Sequence, residues 1–166
     1  MSTNNRDWAE GFAKQAFSDL DAREALVTAK SIKCHRLHFL QMAVEKTCKA
    51  YLTTMNGHES VKNSHAYISR TLPTIARQFY AAINDNNQIT HWEMAEIRRV
   101  SHEIQVLSPA CNDGGAREDN SEYPWEDGQG KIHIPCEYNF PNIDDGSRLI
   151  IRLIRLIRTA SESYFR

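Results

Sequence analysis

Residues 34–55 read CHRLHFLQMAVEKTCKAYLTTM, and their spacing decides the fold. Leu37, Leu40, Val44, Cys48, Tyr51 and Met55 recur three or four apart, the period of an α-helix. A second apolar row, Phe39, Met42, Ala43 and Ala50, runs beside the first. Two rows make an apolar surface wider than one neighbour covers, so the stretch reads as the central helix of a bundle. Its polar strip is Arg36, Gln41, Glu45, Lys46 and Lys49, with Glu45 four residues ahead of Lys49 in the stabilising order. Gly57 follows, where a left-handed helix stop costs glycine least.

Working outward, Asn4 and Asn5 are expected to cap a first helix. Its Trp8, Phe12, Ala16, Leu20 and Val27 face the central helix, and Asp19, Asp21, Arg23 and Glu24 lie mostly on a solvated side. The short connection at residues 30–33 makes the two helices antiparallel neighbours. Beyond the polar loop at 56–64, Ile68, Leu72, Ile75, Phe79 and Ile83 carry an inward face that Pro73 kinks or restarts. Thr90-His91-Trp92-Glu93 reads as a capping box for the next helix, which presents Ile97, Val100, Ile104 and Leu107 inward and stops before Pro109. Residues 108–143 are rich in proline, glycine and acid, and too long to be structureless inside a folded domain. They read as an ordered insertion packed by Tyr123, Trp125, Tyr138 and Phe140, with short strands at 131–134 and 138–140 and a turn at Asp127-Gly128. Asp144 or Asp145 caps a final helix. The expected architecture is all-α: an antiparallel bundle of four to five helices in one domain over residues 1–166, with an insertion at about 108–143 that bears a possible hairpin.

A formal net charge of −1 gives no global pull toward nucleic acid or membrane, so any such attraction is local. The four cysteines form no Cys-x-x-Cys pair and share no zinc-like spacing with the histidines. Cys48, on an apolar row, reads as a buried reduced thiol. The polar start MSTNNRDWAEG lacks a hydrophobic leader, and LIIRLIRLI is too short and too charged to span a bilayer. The expected compartment is the cytoplasm. Phosphate-loop, Rossmann, His-Glu-x-x-His and Gly-x-Ser-x-Gly templates all fail, and no cofactor or metal site is expected.

Ala16, Asp19 and Leu20, followed by Gln41, Ala43, Glu45, Lys46, Lys49, Ala50 and Tyr51, resemble the opening helix pair of HEPN domains. The likeness covers about residues 8–72. It implies a helical bundle, a homodimer and, in some members, a metal-independent ribonuclease of toxin–antitoxin or antiviral-defence systems with an antitoxin or defence partner. Those members carry an arginine, four to six residues and a histidine, assigned to the RNA 2′-hydroxyl and phosphate across a dimer cleft. None of the seven histidines here has an arginine at that spacing. The near misses are Arg98 with His102, one helical turn apart, and Arg117 with Tyr123 in the insertion. Where many members show Arg-Tyr-Pro, this chain has Glu122-Tyr123-Pro124.

The last helix carries the clearest charge feature. Arg148, Arg152 and Arg155 fall on a narrow arc with Arg158 beside them, and Leu and Ile fill the remainder. Such a row suits RNA phosphates, with Asn120 as a further contact, or an acidic partner; the plainer alternative is a solvated face whose arginines pair with Glu and Asp of neighbouring elements. The wide apolar remainder points to a dimer formed through this helix, with Ile150 and Ile154 in the contact. Two classes of function stay open: a dimeric metal-independent endoribonuclease using Arg98, His102, Arg117 and Tyr123, and a non-catalytic helical module that binds RNA, a nucleotide or a protein.

Overall fold

The two apolar rows of residues 34–55 need neighbours on two sides, and they have them except at Met55, which is exposed at the end of the helix. The computed structural model describes residues 3–62, 65–84, 87–111 and 119–165. Among these, five α-helices follow in order: α1 (Thr3–Thr28), α2 (Lys33–Asn56), α3 (Ile68–Ile83), α4 (His91–Gln105) and α5 (Arg148–Glu162). α2 touches each of the other four. Its Leu37, Leu40, Val44 and Cys48 are fully buried in a core that draws on all five helices and on Phe140 and Ile143 of the insertion. The protein is a helical bundle, and no helix among the described residues is long and apolar enough to cross a membrane.

Local signals hold at several element ends. Gly57 takes φ 83° after α2, and its N–H reaches the Thr53 carbonyl. Thr90 and Glu93 form the reciprocal capping box of α4, and Ile97, Val100, Ile104 and Leu107 are buried beneath it. Other ends differ. Asn4 and Asn5 lie inside α1, and the Asn5 side chain faces the His58 backbone N–H at 3.4 Å. Trp8 and Val27 are exposed; Trp8 stacks on His58 at 4.9 Å, while α1 buries Ala9, Ala13, Ala16 and Leu20. α3 runs unbroken through Pro73, whose missing N–H removes one helical bond. The cap of α5 is Ser147, which accepts from the Ile150 N–H; Asp145 is used elsewhere.

The insertion forms a hairpin with different partners from those expected. β1 (Trp125–Glu126) pairs antiparallel with β2 (Ile132–His133), Trp125 opposite His133, and residues 138–140 are not a strand. Trp125, Tyr138 and Phe140 pack edge to face or tilted at 5.0–6.5 Å, as quadrupoles favour, whereas Tyr123 is exposed.

The polar strip of α2 is the largest departure. Gln41, Glu45 and Lys49 are buried, not solvated. Glu45 accepts from Gln41 at 2.9 Å and takes Lys49 and His65 at 3.0 Å each. Asp19, expected at the surface, is buried against Lys46 at 2.5 Å. The residues that carry the family resemblance therefore tie α2 to its surroundings. Arg23, likewise expected outside, is buried and paired with Asp145.

α1 ends in a helix stop of a recognisable kind. The Ser31 N–H returns to Leu26 and the Lys30 N–H to Val27, with Lys30 at φ 53°. Glycine is the usual occupant of that left-handed position, because it has no Cβ to crowd the carbonyl. Here a lysine takes it.

α5 corrects the reading of its apolar circumference. Ile150, Leu153, Ile154, Leu156 and Ile157 are all buried within the chain, leaving Ile151 exposed and Leu149 half-buried. Ile150 and Ile154 therefore belong to the core and do not lie on a surface that a second copy can reach.

Candidate functional site

Side chains the fold consumes are separable from those it leaves at the surface. Arg152 is consumed: its guanidinium lies 2.7 Å from Glu93 Oε1 and 2.8 Å from the Tyr80 hydroxyl, which itself donates to Glu93. Arg158 turns to Asp21 and Glu24 of α1, at 2.9 Å each. Arg148 and Arg155 remain exposed. The arginine row of α5 is thus divided and does not form one positive strip.

Glu93 shows how firmly Arg152 is placed. The Tyr80 hydroxyl, then the Thr90 N–H and hydroxyl, and less strongly Arg152, bring its pKa down to about 2. A depressed carboxylate stabilises the folded state fully above its ordinary range, and that contribution is lost as pH falls through the folded value. Glu93→Gln is expected to lower the thermal midpoint at pH 7. The gap to the unmodified chain should close between about pH 4.5 and about 2. A gap that persisted at the acid end would show that the carboxylate's charge is not what matters.

The other candidates separate as well. Arg98 and His102 are exposed one turn apart on α4, and neither side chain pairs with a described residue. Arg117 lies outside the described residues. Asn120 is buried, and its side-chain oxygen accepts the N–H groups of Glu122 and Tyr123 at 2.9 and 2.7 Å. It positions the loop and does not face solvent. Tyr123 is 61% exposed, on the rim of a groove.

That groove and a second cleft flank the first turns of α2. The groove, about 440 Å³, is lined by Cys34, His35 and His38 of α2 and by residues 121–124 and 134–136 of the insertion. His38 Nδ1 stands 3.7 Å from a Glu122 oxygen, within ion-pair range and just beyond a hydrogen bond. Burial pushes the Cys34 thiol up, so it is a weak nucleophile, and Cys136 on the same wall is exposed. No three His, Cys, Asp or Glu among the described residues gather as metal ligands.

On the other side of α2 lies a cleft of about 560 Å³ lined by Arg23, Lys30, Lys33 and Arg36, with Asp144 and Asp145. The end of α1, the turn at Lys30, the start of α2 and the approach to α5 each supply part of it. α2 begins here with no side-chain cap and no acid in its own first turn. Sequence reading missed this cleft. Lys30, Lys33 and Arg36 crowd seven residues, a signal that was present, but Arg23 and Asp145 come to them only through folding.

No family model, no curated protein and no solved structure matches this chain.

Proposed function

We propose that this chain is a HEPN-like helical protein that binds RNA or a nucleotide through its phosphates, at the end of the bundle where α2 begins. One observation carries the reading. In a chain of net charge −1, four cations gather in one cleft against two carboxylates. Basic clefts with low-dielectric walls concentrate field, and phosphate oxygens are the acceptors that guanidinium and ammonium groups fit. A second copy belongs to this reading, since HEPN-like proteins pair.

The test is fluorescence polarisation of labelled single-stranded RNA against salt. Binding should weaken as salt rises, with a logarithmic slope of about −0.7 for each phosphate neutralised. Lys30→Glu should weaken binding across sequences alike and make the slope shallower by about 0.7 or more. Affinity indifferent to salt would sink the reading.

Cleavage is a second reading, favoured by the His38–Glu122 pair across α2 from the cations. An imidazole within reach of a carboxylate is a candidate general base for an RNA 2′-hydroxyl. End-labelled RNA incubated with excess chelator should yield products that His38→Ala abolishes while binding persists. If intact RNA is recovered from a binding-competent protein, the chain is a binding module.

A further inference from the structure

Charge and donor count in the basic cleft select among phosphate ligands. Arg23 is 5% exposed and lines the cleft. Its Nη2 donates to the side chain and carbonyl of Asp145, while its buried Nε has no hydrogen-bond partner among the described residues. Lys33 donates to the carbonyls of Asn139 and Phe140 at 2.8 and 3.1 Å, which leaves one ammonium proton uncommitted. Arg36 holds the second Asp145 oxygen at 2.6 Å through Nε and donates to the Ser31 carbonyl. Lys30 is exposed, and its side chain pairs with no described residue. Asp144, at the mouth, is exposed and accepts from the Gly146 N–H.

Four positive and two negative side chains leave the cleft at +2. An internal phosphodiester brings one negative charge. A phosphomonoester brings about −1.5 to −2 near neutral pH, together with three strong acceptor oxygens. We infer that the cleft receives a terminal phosphate group in its dianionic form, as borne by the phosphorylated end of an RNA, by a mononucleotide or by free phosphate. The inference rests on the phosphate-binding reading above and narrows it.

Two further observations agree. The cleft is larger than one phosphate group fills, and Val27 and Ile151, each more than two-fifths exposed, line it as apolar surface suited to a ribose or base. Lys30 occupies a backbone position where glycine costs less, and no contact with a described residue requires its ammonium group. A local rule broken without a compensating contact is expected where the side chain serves a ligand. Burial, the largest influence, lowers the Lys33 pKa, with Asp145 and Asp144 opposing it. A dianion beside Lys33 would favour its charged form further.

The experiment uses the full chain and polarisation at constant ionic strength, with one RNA decamer prepared with a 5′-phosphate and with a 5′-hydroxyl. The phosphorylated decamer should bind about tenfold tighter or more, the yield of one added charge-assisted hydrogen bond. Adenosine monophosphate and orthophosphate should compete, and adenosine should not. Orthophosphate competing as well as the mononucleotide would assign the source to free phosphate within the same class. Lys30→Gly suits the backbone and should fold normally, yet lose most of the preference, whereas Lys62→Glu beyond the far end of α2 should keep it. Equal affinity for the two decamers overturns the inference and leaves RNA binding standing. No binding of either takes both readings down. An undiminished preference in Lys30→Gly also overturns it, because the cleft would not be the site.

Discussion

Asp145→Ala is expected to destabilise the protein by about 3–5 kcal/mol, the range for removing one partner of a buried ion pair. The reason is the state of what remains. Arg23 and Asp145 side chains are 7% and 9% exposed, and Arg36 holds the other carboxylate oxygen. Without the carboxylate, the Arg23 guanidinium keeps one carbonyl at 3.2 Å and a buried Nε with no described partner. An uncompensated buried cation costs far more than the pair contributes. The denaturant midpoint of the single variant should fall sharply, and adding Arg23→Met should recover part of the loss, since an apolar side chain has no charge to satisfy. Equal midpoints for Asp145→Ala and the parent would show that water reaches the pair.

Leu40→Ala is expected to cost about 2–5 kcal/mol, and Val44→Ala less. Both residues are 0% exposed in mid-α2, the helix that meets all the others, so no single neighbour can relax to fill the space. Part of the cost is lost transfer free energy and part the cavity left behind. Urea melts should show lower midpoints with unchanged slopes. Unchanged midpoints in both variants would mean that α2 buries another face.

Much of the helical frame was legible because its signals are local. The spacing of Leu37, Leu40, Val44 and Cys48 names the inward face of α2, since only one face of a helix repeats at three and four. Thr90 and Glu93 cap α4 from three residues apart, and Gly57 stops α2 from one residue beyond it. The insertion was legible in part. Its aromatic residues announced packing, but the strand partner of Ile132 could equally have lain on either side, and it is Glu126.

The candidate site was much less legible, because its polar residues are defined by what other elements bring to them. Pattern alone places Asp19, Arg23, Glu45 and Lys49 on a wet face, as charged residues usually are. Lys46 meets Asp19 across 27 residues and Asp145 meets Arg23 across 122, distances over which periodicity says nothing. Sequence by itself determined which segments are helical, where several begin and end, and which apolar rows turn inward, since those follow from spacing and caps within a few residues. The tertiary structure alone decided which charges are spent inside the bundle and which remain to form a cleft. A charge is solvated or paired according to its neighbours in space, and for Arg23, Arg36 and Asp145 those neighbours come from opposite ends of the chain.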